Sequence, residues 1–123
     1  IDEMILMVQR EVANKIDYKK NVKKNKYCLF LDVITNYKIL FNISNKVFYP
    51  KPKVQSSLIK IKPLNNMINV KNFWMFCNYI FINKRKKINK IIKKNLINED
   101  LIDTNKRPED LTSLEIKKLF NFL

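Results

Sequence analysis

Residues 48–57 read Phe48-Tyr49-Pro50-Lys51-Pro52-Lys53-Val54-Gln55-Ser56-Ser57, and they lead directly into an alternating strand pattern at residues 58–62. Each proline fixes its own φ angle and favours an extended conformation at the residue before it, so this loop is stiff. A rigid ring at Phe48 beside the charges of Lys51 and Lys53 suits a base that is flipped out of its stack, together with its phosphates. A loop that merely ends one strand and begins the next is the simpler interpretation.

The residues on either side of this loop predict an α/β unit. Residues 38–43 and 58–61 are predicted strands, and a connection of this length favours antiparallel pairing between them. The apolar run at residues 4–8 is typical of a strand buried on both faces. Helical spacing of apolar residues predicts helices at 9–16 and 27–37. The lysine-rich residues 17–26 lack that spacing and are predicted to form a surface loop.

After residue 63 the pattern changes to helices. Residues 64–69 are a candidate linker, and apolar residues recur at helical spacing across 71–82. Residues 83–96 continue as a basic amphipathic segment with Ile88, Ile91 and Ile92 predicted inside, although such a charge run is also typical of an ordinary solvated face. Another short segment begins at Leu101. Thr112-x-x-Glu115 fits a capping box that opens a last helix running to residue 123.

This change of pattern predicts two parts. Residues 1–66 belong to an α/β domain and residues 67–123 form a small helical domain. The first part is poorly suited to stand alone, because three short strands and two helices leave a long unpaired sheet edge and little buried area. The chain also begins at Ile1 rather than at a methionine. We therefore expect further strands of the same sheet upstream of Ile1.

The composition excludes several kinds of site. The 123 residues include no glycine, so no glycine-rich phosphate loop lies within them, since such turns need a backbone approach that a Cβ atom blocks. They include no histidine, which removes Ser-His and Cys-His pairs and the commonest transition-metal ligand. Cys28 and Cys77 are too few and too far apart for a zinc site, and no metal is predicted. We interpret them as small buried apolar residues in a reducing compartment, with a disulfide as the alternative.

The formal net charge of +14 indicates a polyanionic partner. Lysine outnumbers arginine by 22 to 3, which is typical of AT-rich codon usage, so part of the lysine excess carries no functional information. The shortage of acidic residues is not explained in this way. The basic residues cluster at 15–26 and 84–94, and such clusters favour phosphate binding. The sequence shows no apolar run of about 18 residues and no signal peptide, so no membrane association is predicted.

Four segments form an ordered series that covers nearly the whole chain: MVQREVANKI at 7–16, the loop at 48–57, FINKRKKI at 81–88, and Ile102-Asp103 followed by RPEDL at 107–111. Together they resemble the C-terminal half of the KsgA family of small-subunit rRNA adenine dimethyltransferases. The first resembles the strand and helix that follow the family's catalytic Asn-Leu-Pro-Tyr motif. The loop resembles its Phe-x-Pro-Pro-Pro-Lys-Val-x-Ser segment. The last two resemble Phe-x-x-Arg-Arg-Lys-x-Leu and the closing Ile-Asp and Arg-Pro-Glu-x-Leu signature.

The resemblance implies an α/β plus α fold, in which the last three strands of a Rossmann-like class I methyltransferase sheet precede a small C-terminal helical domain. It implies S-adenosylmethionine as methyl donor and two adjacent adenines in the 3′-terminal hairpin loop of small-subunit rRNA as substrate. By position, Phe48 would stack on the extruded adenine. The residues implied in holding RNA backbone are Lys51, Lys53, Lys84, Arg85 and Lys86. The catalytic and cofactor-binding residues of the family match nothing in this chain and would lie upstream of Ile1, so the chain by itself is predicted to be inactive.

The resemblance further implies a monomer that acts on the pre-ribosomal small subunit in a bacterial cytoplasm, with an organelle as the alternative compartment. Two departures from the family pattern affect charge and stiffness: Lys51 replaces the middle proline of the loop, and Lys84 replaces an arginine, which loses bidentate phosphate geometry but keeps the charge. A third is Tyr27-Cys28-Leu29-Phe30-Leu31 in place of Tyr-Gly-x-Leu-Ser.

Two alternative functions remain open at this point. Residues 50–54 and 56–59 fit the macrolide-resistance (Erm-type) large-subunit rRNA methylases at least as well, whereas residues 9–13 and 107–111 favour KsgA. A non-catalytic nucleic-acid-binding relative, such as the mitochondrial transcription factors that reuse this fold, is the second alternative.

Overall fold

The computed structural model describes residues 3–64, 68–92 and 102–122. Three strands and five α-helices occur in these residues. In chain order they are β1 (Met4–Gln9), α1 (Arg10–Ile16), α2 (Lys26–Ile34), β2 (Thr35–Ile43), β3 (Ser56–Pro63), α3 (Val70–Ile82), α4 (Ile88–Ile91) and α5 (Ser113–Phe122). Short 3-10 turns cover Asn45–Val47 and Pro108–Asp110.

The three strands form one sheet in the order β1-β3-β2. β3 is antiparallel to both neighbours. Its Ser56 lies opposite Gln9 of β1 on one side and opposite Ile43 of β2 on the other. The predicted antiparallel pairing across the loop is therefore confirmed. Because β1 and β2 run in the same direction on either side of β3, their carboxyl ends lie at the same edge of the sheet. The residue 44–55 loop begins at this edge and returns to it.

The prediction that β1 is buried on both faces is wrong for this chain. Met4, Ile5, Leu6 and Met7 are all exposed, with Ile5 at 57%. The reason is that α1 covers one face only, where Ala13, Ile16 and Ile59 form a small buried cluster with Val8 packed against it. Among the described residues β1 pairs with β3 alone, so its other edge is open.

The predicted helix at residues 27–37 is three residues too long. α2 ends at Ile34, and residues 35–37 already belong to β2. Thr35 closes the helix, since its backbone N–H and its hydroxyl both donate to the carbonyl of Leu31. Thr35 and Tyr37 then pair with Pro63 and Ile61 across the sheet. Pairing with β3 therefore overrides the apolar spacing that suggested a longer helix.

The larger core lies among the helices and includes α2. Its fully buried members Leu29, Phe73 and Leu119 come from α2, α3 and α5. The core also takes Ile88 from α4, with Leu111 from the segment before α5. α2 therefore packs with the helices that follow the sheet. The proposed domain boundary between residues 66 and 67 falls outside the described residues and stays a prediction.

The two cysteines are buried free thiols, as predicted. Both belong to the helical core, and neither side chain is accessible to solvent. Burial raises the pKa of the Cys77 thiol to about 12, and burial is also the main cause of the raised pKa of Cys28. Both residues therefore remain protonated thiols and act as small apolar side chains.

The basic segment after α3 is not one continuous helix. α3 ends at Ile82, a turn covers residues 83–87, and α4 spans only Ile88–Ile91. Ile88 and Ile92 are buried and Ile91 packs against the core, which confirms the predicted inside positions. The remainder of this segment, to residue 96, and the predicted start at Leu101 fall outside the described residues.

The capping box of α5 is confirmed, because the Thr112 hydroxyl accepts from the Glu115 N–H at 3.2 Å while Glu115 Oε1 accepts from the Thr112 N–H at 3.1 Å.

Candidate nucleic-acid interface

The loop of residues 44–55 is held by hydrogen bonds at both ends. Ser44 caps the 3-10 turn by accepting from the Lys46 N–H, and Phe48 donates its N–H to the carbonyl of Asn45 at 3.4 Å. The Tyr49-Pro50 peptide is cis. At the far end, the Arg10 N–H donates to the Gln55 carbonyl at 2.9 Å, which joins the loop to the start of α1.

Phe48 lies at the sheet edge formed by the carboxyl ends of β1 and β2. It lines a cavity of about 300 Å³ together with Met7 of β1, Pro52 and Ser56. Phe48 is half-buried, whereas its neighbour Tyr49 is fully exposed. The ring therefore lies where β1 and β2, which run in the same direction on either side of β3, both end.

The predicted phosphate contacts fall in two separate places. Lys51 and Lys53 are exposed on the loop that carries Phe48. Lys84, Arg85 and Lys86 are exposed in the turn between α3 and α4, which is closed by a 2.9 Å hydrogen bond from the Lys86 N–H to the Asn83 carbonyl. Lys84 lines a different cavity from Phe48, one that is shared with Tyr27. The structure thus presents two basic segments on different elements.

Two lysines of the basic run at 15–26 are occupied by internal contacts. The Lys23 ammonium lies 2.8 Å from Asp110 Oδ1, and the hydrogen bond from Lys23 to that carboxylate raises the pKa of Lys23. The Lys24 ammonium donates to the carbonyls of Tyr18 and Asn21 and lies 3.9 Å from the centre of the Tyr18 ring. These two lysines therefore stabilise the loop between α1 and α2.

The RPEDL segment at 107–111 has a structural role. Pro108 and Leu111 are buried in the helical part. The Glu109 carbonyl accepts from the Lys24 N–H at 2.7 Å, and the Asp110 carboxylate holds Lys23. This segment therefore anchors the loop between α1 and α2 against the helices that follow the sheet.

An aromatic cluster between α2 and α3 was missed by the sequence reasoning. The ring centres of Tyr27 and Trp74 lie 5.8 Å apart, and the Lys26 ammonium lies over both rings. The two aromatic residues are 47 positions apart in the sequence, so no local pattern joins them. The adjacent Lys26-Tyr27 pair at the start of a predicted helix was the signal available.

Metal-binding clusters and membrane-spanning helices are both absent from the part of the chain that the structure describes. No group of three or more His, Cys, Asp or Glu side chains that could hold a metal ion occurs among the described residues. No helix within them is long and apolar enough to span a bilayer.

Comparison with known proteins identifies the family to which this chain belongs. The sequence pattern of the family described as Ribosomal RNA adenine dimethylase matches residues 1–122. The chain belongs to this family. It is 35% identical over 135 aligned residues to the Ribosomal RNA small subunit methyltransferase A of Ureaplasma parvum, an alignment that covers 100% of this chain and 48% of that protein. The chain spans about half the length of the curated relatives that it matches.

Solved structures with the same fold include a dimethyladenosine transferase and an rRNA methyltransferase. A dimethyladenosine transferase from Plasmodium falciparum has a TM-score of 0.78 at 21% identity, with 97% of this chain and 56% of that chain covered. The 23S rRNA methyltransferase ErmE has a TM-score of 0.71 at 12% identity, with 100% of this chain and 55% of that chain covered. Both similarities show the methyltransferase fold predicted for this chain, and ErmE is the more distant of the two.

Proposed function

We propose that this chain is the C-terminal half of a methyltransferase that dimethylates two adjacent adenines in the 3′-terminal hairpin loop of small-subunit rRNA. The observation that carries the proposal is the half-buried Phe48 ring at the carboxyl ends of β1 and β2, on a loop pinned to α1. The small-subunit substrate is favoured over the Erm-type one by the 35% identity to a small-subunit methyltransferase. The enzyme is proposed to act as a monomer in a bacterial cytoplasm.

Phe48 is proposed to form one wall of the adenine pocket. A flipped base loses its stacking partners in RNA, and an aromatic ring placed parallel to it replaces part of that energy, about 1–3 kcal/mol per base. Because Phe48 is half-buried beside Met7 and Pro52, its ring has little freedom to lose when a base arrives.

Exposed lysines and Arg85 are proposed to bind RNA phosphates around this pocket. Lys51 and Lys53 follow Phe48 on the same loop, while Lys84, Arg85 and Lys86 lie on the turn after α3. Phosphate contacts position a nucleic acid without reading its sequence, and folded RNA is recognised mostly through its shape and backbone. Two basic segments on different elements can contact the backbone on both sides of the target loop.

The cavity beside Phe48 does not fit S-adenosylmethionine. The cavity beside Phe48 is lined by Met7, Phe48, Tyr49, Pro50, Pro52 and Ser56, a set that includes no carboxylate for a ribose and no glycine turn for a close backbone approach. We therefore propose that the cofactor, which supplies the methyl group, is held by a part of the enzyme outside this chain. This chain's share is to hold the base and the RNA.

The experiment is Phe48→Ala in the complete enzyme that carries this chain, assayed for dimethyladenosine in unmethylated small subunits. Methyl transfer should fall by about tenfold or more, because the base loses its stacking surface. Cofactor binding and the far-UV circular dichroism spectrum should stay unchanged. Phe122→Ala is the matched control, since it removes another ring, 47% exposed, from α5.

Equal turnover by the Phe48→Ala and Phe122→Ala variants would contradict the assignment of Phe48 to the base pocket. A complete wild-type protein that binds small-subunit RNA but transfers no methyl group would instead support a non-catalytic relative. The 123-residue chain alone, mixed with cofactor and subunits, should give no product.

A further inference from the structure

Two cavities between α2 and α3, of about 600 and 410 Å³, share Tyr27 as a lining residue, and neither is lined by Phe48. The larger is lined by Tyr27, Phe30, Leu31, Val70, Lys71 and Trp74. The smaller extends from Tyr27 toward Lys26, Phe81 and Lys84. We call this surface the α2–α3 groove.

Flat aromatic surfaces in the groove are held in fixed positions. The Tyr27 and Trp74 rings lie 5.8 Å apart with an interplanar angle of 40°. Phe30 meets Trp74 edge to face at 4.9 Å and stacks on the buried Phe73 at 5.9 Å, so the helical core supports the Trp74 ring from below. Tyr27 is 39% exposed. A rigid, partly exposed pair of rings is a surface on which a base can stack at little entropic cost.

Lysines surround these rings. The Lys26 ammonium lies 5.4 Å from the Tyr27 ring centre and 5.8 Å from that of Trp74, and the Lys15 ammonium lies 5.3 Å from the Tyr27 centre. Lys71 and Lys84 line the two ends of the groove. No acidic residue is among the described residues that line it. This differs from the loop between α1 and α2, where Lys23 is paired with Asp110.

We propose that the α2–α3 groove binds unpaired RNA nucleotides. One base stacks on the exposed Tyr27 ring beside Trp74, since the two rings are inclined at 40° and cannot both lie flat against it. The phosphates on either side contact Lys26 and the lysines at the ends. The nucleotides must be unpaired, because a base within an A-form duplex has both faces covered by its neighbours. The inference deepens the proposed function and rests on it, since it assigns a second RNA contact that holds the substrate away from the reacting adenine.

Trp74 is the only tryptophan of the chain and lies in the groove, so it reports directly on occupancy. The 123-residue chain is titrated with a ten-nucleotide oligouridylate, whose bases are unpaired and stack little on one another, without cofactor, and Trp74 fluorescence and RNA anisotropy are recorded. Unpaired RNA should quench Trp74 saturably, whereas a duplex of equal length should not. Circular dichroism before each titration checks that the chain is folded.

Three variants separate stacking from general charge. Tyr27→Leu keeps an apolar side chain but removes the ring, and it should weaken binding about fivefold or more. Lys71→Glu, an exposed change at one end of the groove, should weaken binding more than Lys118→Glu, the matched charge change on α5 at a residue that lines neither cavity. Lys71→Glu keeps the test valid if Tyr27→Leu does not fold.

Absence of Trp74 quenching, equal quenching by duplex RNA, or equal effects of Lys71→Glu and Lys118→Glu would overturn the proposal. So would shielding of Trp74 from acrylamide in the RNA-free complete enzyme, because the groove would then be covered by protein. Failure of RNA to bind in the groove, with methyl transfer retained, would leave the proposed function standing. RNA binding in the groove by a complete protein that transfers no methyl group would support the groove as an RNA site and contradict the proposed function.

Discussion

The side chain of Asn25 joins the end of α1 to the start of α2. The Asn25 carboxamide oxygen accepts from the Cys28 N–H at 3.0 Å and so caps α2, while its amide group donates to the Lys15 carbonyl at the end of α1. Cys28 Sγ returns the cap by accepting from the Asn25 N–H at 3.3 Å. Cys28 stands where the family's Tyr-Gly-x-Leu-Ser pattern has glycine. Its thiol completes the cap of α2 and fills space in the core.

Arg85 and Lys86 are expected to bind phosphates, and their charge reversal tests this. Both are exposed in the turn before α4, so their reversal to Glu should leave the fold intact. If each binds a phosphate, the double variant of the complete enzyme should bind small subunits more weakly. The slope of log affinity against log salt should become shallower by about 0.7–0.9 for each phosphate that the variant no longer binds. Binding measured at several salt concentrations checks this.

The double reversal Lys117→Glu and Lys118→Glu on α5 is the matched control. An unchanged slope in the Arg85 and Lys86 variant would mean that this run is a plain solvated face.

At the scale of elements, the capping box of α5 was readable from four residues. Thr112 and Glu115 make both reciprocal hydrogen bonds, and the Lys106 ammonium adds an ion pair to Glu115 at 2.9 Å. Local signals of this kind are reliable because every partner lies within one helical turn. The end of α2 was mispredicted for the opposite reason, since the competing partner of residues 35–37 is β3, more than twenty residues away.

The acid stability of the chain should depend on Glu115. Burial raises its pKa, but the hydrogen bonds from Lys106 and Thr112 outweigh burial and hold the pKa below the ordinary 4.5. Its contribution to stability is therefore present above pH 4.5 and is lost as pH falls through the lowered folded-state pKa. Glu115→Gln should lower the free energy of unfolding by about 1 kcal/mol at pH 7. This difference should disappear at low pH.

Urea denaturation at pH 3 to 8 measures this dependence, with the exposed Glu11→Gln as control. A pH-independent difference for Glu115→Gln would contradict it.

On the alkaline side the hydrogen bond to Glu115 raises the Lys106 pKa above 10.5. The contribution of Lys106 to stability is therefore present below pH 10.5 and is lost as pH rises through the raised value.

At the scale of the whole molecule, α2 joins the sheet to the helices. It leads directly into β2, yet its buried residues Leu29 and Val33 belong to the helical core with Phe73. Leu31 of the same helix packs instead against the small cluster between α1 and the sheet. One helix thus contributes to both cores, and we expect the chain to unfold as one unit.

Phe73→Ala tests this expectation. The ring is fully buried and lies 5.1 Å from Phe120 and 5.9 Å from Phe30, so its removal should cost about 3–5 kcal/mol. Trp74 fluorescence and far-UV circular dichroism should shift together in urea. Met75→Ala on the exposed side of α3 should change stability little. Retention of strand signal after the Trp74 transition would show that the sheet and helices unfold separately.

Composition, local spacing and short motifs were enough to place most helices and strands, the antiparallel pairing around the loop at 48–57 and the family. Each of these depends on residues close in the chain or on a set of residue types, which a sequence displays directly. The exposure of β1, the end of α2, the internal contacts of Lys23 and Lys24, and the α2–α3 groove became visible only in the folded chain. Those features depend on partners far along the chain, whose positions are set by the packing of α2 and α3 on one core rather than by any local pattern.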